Sequence, residues 1–131
     1  GAVSPDSTGK WRERGHPRGF GTFPRILGLY VRQDSVISLE FAIRKMTSLA
    51  AQRVGINDRG LLKPGMFADI TVFDPNTIID RSTYENPSQI ATGVSYVLVN
   101  GVPVVDGGQV TNALPGRALR GPGYRPARSG P

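Results

Sequence analysis

Helical spacing of apolar residues dominates the first part of the chain. The apolar face of one predicted amphipathic helix consists of Leu39, Ala42, Ile43 and Met46. Ser38 is a good N-cap for this helix, and Glu40 lies in the first turn, where the helix dipole favours an anion. Thr47 is predicted to cap a second helix, which ends at Gly55. The helical spacing of apolar residues after Pro24 predicts an earlier helix that starts at this proline.

The pattern then changes to short runs of β-forming residues. Met66–Asp74 is one such run. Asn100-Gly101 separates two valine-rich runs and favours a type I′ hairpin turn. Pro103 cannot donate a ladder hydrogen bond, so its strand is expected at an edge or a bulge. Because helices come first and strands second, the sequence predicts an α+β chain with a boundary near residue 56.

Composition and charge narrow the classes of partner. The chain has 17 Gly and 11 Pro, and these residues are densest at the two ends, which predicts a long loop over residues 1–23 and a flexible tail over residues 114–131. The net charge of +6 comes from scattered arginines rather than a stripe, so no nucleic-acid partner is expected. No apolar run approaches about 18 residues, which argues against a membrane partner. No signal peptide is visible, so we expect a cytoplasmic protein.

Four residues are candidates for chemistry. Asp6 follows a strand-like start, the position where α/β barrels place catalytic groups, although its surroundings also suit a turn. His16 is the single imidazole, so it cannot build a multi-histidine zinc site. Arg18, beside a stiffening proline, has the chemistry to bind a carboxylate bidentately, and it equally fits an ordinary surface arginine. Asp69, inside an apolar run, is expected to accept hydrogen bonds from nearby backbone N–H groups.

Three stretches of the chain resemble the N-acyl-D-amino-acid deacylases, the D-aminoacylases of the metal-dependent amidohydrolase superfamily. They are HPRGFGTFPRILGLYVR, LEFAIRKMTSLAAQRVGINDRGLLKPGMFADITVFDP, and YVLVNGVPVVDGG with a closing PGRALR. The ADI-x-VFDP and VNG pieces occur across many amidohydrolases. The HPR-x-x-G-x-FPR-x-LG piece is specific to the D-aminoacylase group. The resemblance runs from about Val3 to Arg120.

This resemblance implies that the chain is the C-terminal portion of a longer enzyme. Residues 1–56 would form the last strand, the active-site loop and helices of a metal-bearing (β/α)₈ barrel. Residues 57–113 would form the C-terminal strands of a small β-sandwich, and residues 114–131 would be a tail. The N-terminal barrel portion, absent from this sequence, would be the partner that completes the fold.

The resemblance also implies an activity, the zinc-dependent hydrolysis of N-acyl-D-amino acids to a D-amino acid and a carboxylate. It assigns Asp6 as general base and then acid, with a weak contact to the metal. It assigns Arg18 as the clamp for the substrate carboxylate and His16 as the residue that orients their loop. Pro5 and the lack of a glycine set the stretch Val3–Ser7 apart from the family's Ser-Asp-Gly-like motif.

The remaining zinc ligands of the family are not in this sequence. They are an H-x-H pair, a bridging Cys or carboxylated Lys, and two further histidines, all of which lie upstream in the family. Since zinc needs about three or four protein ligands, we do not expect it to bind this chain tightly. The isolated chain is therefore expected to be inactive.

Two alternatives stay open at this point. The first is an amidohydrolase of cyclic amides, of the hydantoinase or dihydroorotase type, which shares the sandwich motifs. An upstream Lys as bridging ligand would favour it, whereas a Cys would favour the deacylase. The second is a non-enzymatic basic binding module, which steeply salt-dependent DNA binding would favour.

Overall fold

The computed structural model describes residues 16–121 and 123–125. The helical elements are α1 (Arg18–Arg25), a π-helix (Ile26–Gln33), α2 (Leu39–Met46) and α3 (Ser48–Arg53). The strands are β1 (Ile70–Phe73), β2 (Val94–Val99), β3 (Val102–Asp106) and β4 (Gln109–Val110). The predicted order, helices before strands, is confirmed. Within the described ranges, no helix has the length and apolar character needed to cross a membrane.

The predicted helix start at Pro24 is wrong, and so is the predicted loop over the residues just before it. The helix starts at Arg18, after Pro17, whose carbonyl accepts the Gly21 N–H at 2.9 Å, and Pro24 lies inside it. Gly21 is the buried residue of α1, and a Cβ placed there would lie 3.0 Å from the Asp80 Cβ. Packing against a distant segment therefore outweighs the poor helix propensity of this stretch.

The next eight residues form the π-helix, which the sequence did not indicate. Its wider turn is seen where the Asp34 N–H donates to the Leu29 carbonyl at 2.8 Å, five residues back. Gly28 lies in this element against the segment that joins β1 to β2. A Cβ at Gly28 would meet the Ile78 carbonyl oxygen at 2.6 Å, so only glycine allows this approach.

The two predicted caps behave differently. The Ser38 hydroxyl accepts the Phe41 N–H at 3.2 Å, which confirms the cap of α2. Thr47 occupies the cap position of α3, but its hydroxyl donates to the Ile43 carbonyl at 2.7 Å and makes no cap hydrogen bond. The predicted capping role of the Thr47 side chain is therefore wrong, because the last turn of α2 uses the same hydroxyl.

The strands form one antiparallel sheet in the order β1-β2-β3-β4. Asn100 and Gly101 have φ values of 51° and 81°, which confirms the predicted type I′ turn between β2 and β3. Pro103 pairs with Leu98 directly beside a register shift, so the prediction of a bulge is confirmed. The short strand β4 was not predicted.

The core joins the helices to the sheet. Leu27, Ala42 and Ile78 are its buried apolar residues, and Phe73 and Val94 pack against them from paired positions on β1 and β2. Ile78 belongs to the β1–β2 connection, not to a strand. This connection therefore brings the sheet onto α2 and the π-helix.

A turn within this connection is held from both sides. The Asp74 carboxylate accepts the Asn76 N–H at 2.9 Å and the Thr77 hydroxyl at 2.8 Å. These two hydrogen bonds, the first above all, hold the pKa of Asp74 below its usual range. From the π-helix, Arg32 Nη1 donates to the carbonyls of Pro75 and Ile78 at 2.9 and 2.7 Å. The arginine thereby satisfies backbone acceptors that the turn leaves free.

Candidate functional site

His16 and Arg18 lie together at the N-terminal end of α1, both exposed. The Arg18 backbone N–H donates to His16 Nδ1 at 3.1 Å. Since Nδ1 is an acceptor, the proton of the neutral imidazole lies on Nε2. Arg18 is exposed, and its guanidinium makes no ion pair or hydrogen bond with the described residues. This arrangement suits an arginine that receives a carboxylate from outside the chain.

Asp6, the third predicted site residue, lies outside the described residues. Its proximity to His16 and Arg18 therefore stays a prediction.

Within residues 16–121 and 123–125, no three His, Cys, Asp or Glu side chains come together to hold a metal ion. The donor set does not fit zinc in this part of the chain, because a tight site needs at least three protein ligands.

Tyr84 joins the predicted pair, and no sequence pattern indicated it. Its ring meets the His16 ring edge-on, with centroids 5.3 Å apart and planes at 76°. Such a T-shaped pair is a favourable aromatic geometry. Tyr84 lies in the β1–β2 connection, far from His16 in sequence, and only the folded chain brings the two rings together.

The loop that carries Tyr84 is internally bonded. The Thr83 N–H donates to the Asn86 carbonyl at 3.1 Å, and the Asn86 N–H donates to the Thr83 hydroxyl at 3.0 Å. The buried Ser82 hydroxyl donates to the Gln89 carbonyl at 3.1 Å. Asp80, just before the loop, pairs with Arg25 of α1 at 3.0 Å. The loop is thus tied both to itself and to the helix that begins at Arg18.

A second polar cluster lies at the hairpin end of the sheet, beside a cleft of about 540 Å³. Asp69 Oδ1 accepts the Asn100 N–H at 2.8 Å, which confirms the predicted backbone partner. Its other oxygen pairs with Arg59, whose Nη2 donates to Asn100 Oδ1 at 2.5 Å. The guanidinium groups of Arg59 and Arg117 lie 4.3 and 4.4 Å from the Phe67 ring centre. We assign this cluster to the support of the hairpin turn.

Sequence reasoning missed Arg59, whose side chain is only 9% exposed. Its position in a turn before Gly60 looked like any other exposed arginine. A usable signal was the lone charge of Asp69 in the following strand, because a partly buried carboxylate requires a partner.

Asp69→Asn is expected to destabilise the protein at neutral pH and much less in acid. Burial would raise the pKa of Asp69, but the Asn100 N–H and the Arg59 guanidinium outweigh it and hold the pKa below its ordinary value of 3.8. A lowered pKa stabilises the fold above the ordinary value, and this contribution is lost as the pH falls through the folded value. Urea unfolding midpoints of both proteins should therefore differ at neutral pH and converge as the pH falls below 3.8 and through the lowered pKa of folded Asp69.

The matched control is Asp106→Asn, at an exposed carboxylate at the end of β3. It should leave the midpoint unchanged at either pH. A constant gap between the wild type and Asp69→Asn across this range would contradict the ionic contribution.

Comparison with known proteins assigns the family. Residues 15–105 match the model of a family described as "Amidohydrolase family", which is more than half of the chain. The chain belongs to the amidohydrolase family. This amidohydrolase segment is also 49% identical over 107 residues to a D-aminoacylase of Alcaligenes xylosoxydans xylosoxydans, covering 82% of this chain and 22% of that protein.

Solved structures agree with the sequence match. An N-acyl-D-glutamate deacylase from Bordetella bronchiseptica, complexed with zinc and a phosphonate inhibitor, superposes with a TM-score of 0.67 at 44% identity. That match covers 75% of this chain and 22% of the other. A D-aminoacylase mutant in complex with copper chloride gives a TM-score of 0.78 at 46% identity, covering 82% and 23%. This amidohydrolase chain thus spans about a fifth of the length of the relatives it matches.

Proposed function

We propose that the chain acts as the C-terminal part of a zinc-dependent deacylase of N-acyl-D-amino acids. The observation that carries this proposal is the 49% identity to a D-aminoacylase over 107 residues. Arg18 is exposed, and its backbone N–H donates to His16. Its guanidinium is suited to bind the carboxylate of such a substrate. A basic binding module offers no explanation for this identity.

In this proposal the helical part belongs to the end of a (β/α)₈ barrel and the sheet belongs to a small β-sandwich. The exposed surface of the sheet supports the second assignment. Val72 and Tyr96 form a cross-strand pair and are 46% and 44% exposed, and β1 lies at an edge of the described sheet. Further strands of a longer chain would pair with this edge and cover these side chains.

The reaction adds water to the amide carbon and breaks the C–N bond, which yields a carboxylate and a D-amino acid. Asp6 takes a proton from the attacking water and then returns it to the departing nitrogen. Arg18 holds the α-carboxylate of the substrate through paired N–H donors, and His16 keeps the Arg18 backbone in place. Because the described residues do not fit a metal, zinc would be held by the remainder of the longer chain.

The test is a deacylase assay of two proteins in the presence of zinc. The full-length protein is expected to hydrolyse N-acetyl-D-amino acids and to leave the L-enantiomers largely untouched. The 131-residue chain is expected to show no turnover, because most of the metal ligands are absent from it. Turnover by the isolated chain would contradict the assignment to a longer enzyme. Hydrolysis of hydantoin or dihydroorotate, without activity on N-acyl-D-amino acids, would favour the cyclic-amide alternative.

A further inference from the structure

We propose that Tyr84 is a positioning residue that acts on Arg18 through His16, and so tunes binding of the substrate carboxylate. The inference rests on the proposed role of Arg18 as the carboxylate clamp. It goes beyond that role by assigning a function to the loop between β1 and β2, which no motif in the sequence indicated.

The path from Tyr84 to Arg18 has two contacts. The Tyr84 ring lies edge-on to the imidazole at 5.3 Å, and the imidazole Nδ1 accepts the Arg18 N–H at 3.1 Å. Rotation of the His16 ring would turn Nδ1 away from this N–H and release the first residue of α1. Because the edge-to-face contact favours one ring orientation, Tyr84 opposes that rotation.

The loop that carries Tyr84 is held against α1 by several contacts. Asp80 pairs with Arg25 at 3.0 Å and packs against the buried Gly21 of the same helix. The Thr83–Asn86 hydrogen bonds then close the turn in which Tyr84 lies. The ring is thus carried by a loop anchored on α1 itself, the helix that Arg18 begins.

A purely structural role does not account for the position of Tyr84. Tyr84 is 77% exposed, so it buries little apolar area and contributes little to the core. An exposed aromatic ring held against the only histidine of the chain, two residues before the proposed clamp, instead fits a role in orienting that clamp.

The experiment compares variants of the full-length zinc enzyme on a matched pair of substrates. One is an N-acetyl-D-amino acid, and the other is its C-terminal amide, which lacks the carboxylate. Tyr84→Ala is expected to raise KM for the acid about two- to tenfold, the size that an aromatic pair supports, with little change in kcat. The amide should be almost unaffected. Tyr84→Phe keeps the ring edge and should restore the acid-to-amide ratio, whereas Tyr84→Leu should not.

Arg18→Ala separates this inference from the role on which it rests. If Arg18→Ala raises KM equally for the acid and the amide, Arg18 does not bind the substrate carboxylate, and the inference for Tyr84 is also overturned. If Arg18→Ala raises KM for the acid alone but Tyr84→Ala does not, the role of Arg18 is supported and the positioning role of Tyr84 is overturned. In an Arg18→Ala background, Tyr84→Ala should add no further loss of selectivity, and an additive loss would overturn the path through Arg18.

The matched control is Tyr124→Ala, at an exposed tyrosine that lies against Arg120 instead of His16. It should leave both KM values unchanged. Thermal unfolding midpoints of the Tyr84 variants should stay close to that of the wild type. A large drop in the midpoint together with equal losses on both substrates would overturn the positioning role in favour of a structural one.

Discussion

Asp6→Asn in the full-length protein is expected to lower kcat for N-acyl-D-amino acids by about two to four powers of ten, the usual contribution of a positioned general acid–base. Asparagine has nearly the shape of aspartate but cannot take a proton from water or return it to the leaving nitrogen. The substrate KM should change much less, because the carboxylate is held by Arg18. Steady-state kinetics with an N-acetyl-D-amino acid measures both quantities.

Two controls make the result specific to proton transfer. Asp34→Asn, at an exposed position just after the π-helix, should leave kcat unchanged. The zinc content of Asp6→Asn, measured by elemental analysis, should stay near that of the wild type, since Asp6 is at most a weak ligand in our proposal. An unchanged kcat would remove Asp6 from the mechanism. Loss of zinc in step with activity would assign Asp6 to the metal instead.

Gly93→Ala is expected to destabilise the protein by about 2–5 kcal/mol, the sum of a left-handed backbone penalty and a packing clash. Gly93 has a φ of 81°, and a Cβ there would lie 2.5 Å from the Ile78 N and 2.6 Å from its Cα. Backbone atoms cannot move aside as a side-chain end does. Because Ile78 is one of the buried residues of the core, the clash would separate the sheet from the helices.

The control for this substitution is Gly107→Ala. Gly107 also has a positive φ, 55°, but a Cβ there would meet nothing within 4 Å. Gly107→Ala should lower the free energy of unfolding by only the left-handed backbone penalty of about 1–2 kcal/mol. Chemical unfolding of both variants measures the difference, and equal losses would show that the predicted clash with Ile78 is absorbed.

Features that depend on a few neighbouring residues could be predicted from the sequence. The Ser38 cap needs a hydroxyl three residues before the Phe41 N–H. The turn at Asn100 and Gly101 needs two residues that tolerate positive φ. The failed prediction for Thr47 has the same local range, because its hydroxyl donates to the Ile43 carbonyl one turn back instead of capping α3.

The candidate site could be predicted only in part. The His-Pro-Arg motif located His16 and Arg18, and the structure brings both to the start of α1. Tyr84 could not be found, since its partner lies in another element and a tyrosine is not unusual at its position. Arg59 was missed, because the lone charge of Asp69 indicates a partner but not which residue provides it. Edge-to-face packing and a partly buried ion pair depend on how distant segments of the chain meet in space, and the linear order of residues does not contain that distance.

The order of helices before strands, the hairpin turn at Asn100-Gly101 and the family-specific motif around Arg18 could all be read from the sequence. Those features follow from hydrophobic spacing and from residues with restricted or unusual backbone freedom, which act locally. The folded chain was needed to reveal that α1 begins at Arg18, that a π-helix follows it, and that Tyr84 contacts His16. The first two depend on the close approach of Gly21 and Gly28 to the β1–β2 connection, and the third depends on how this connection places Tyr84 beside His16. Such packing energy outweighs local propensity once the chain is folded.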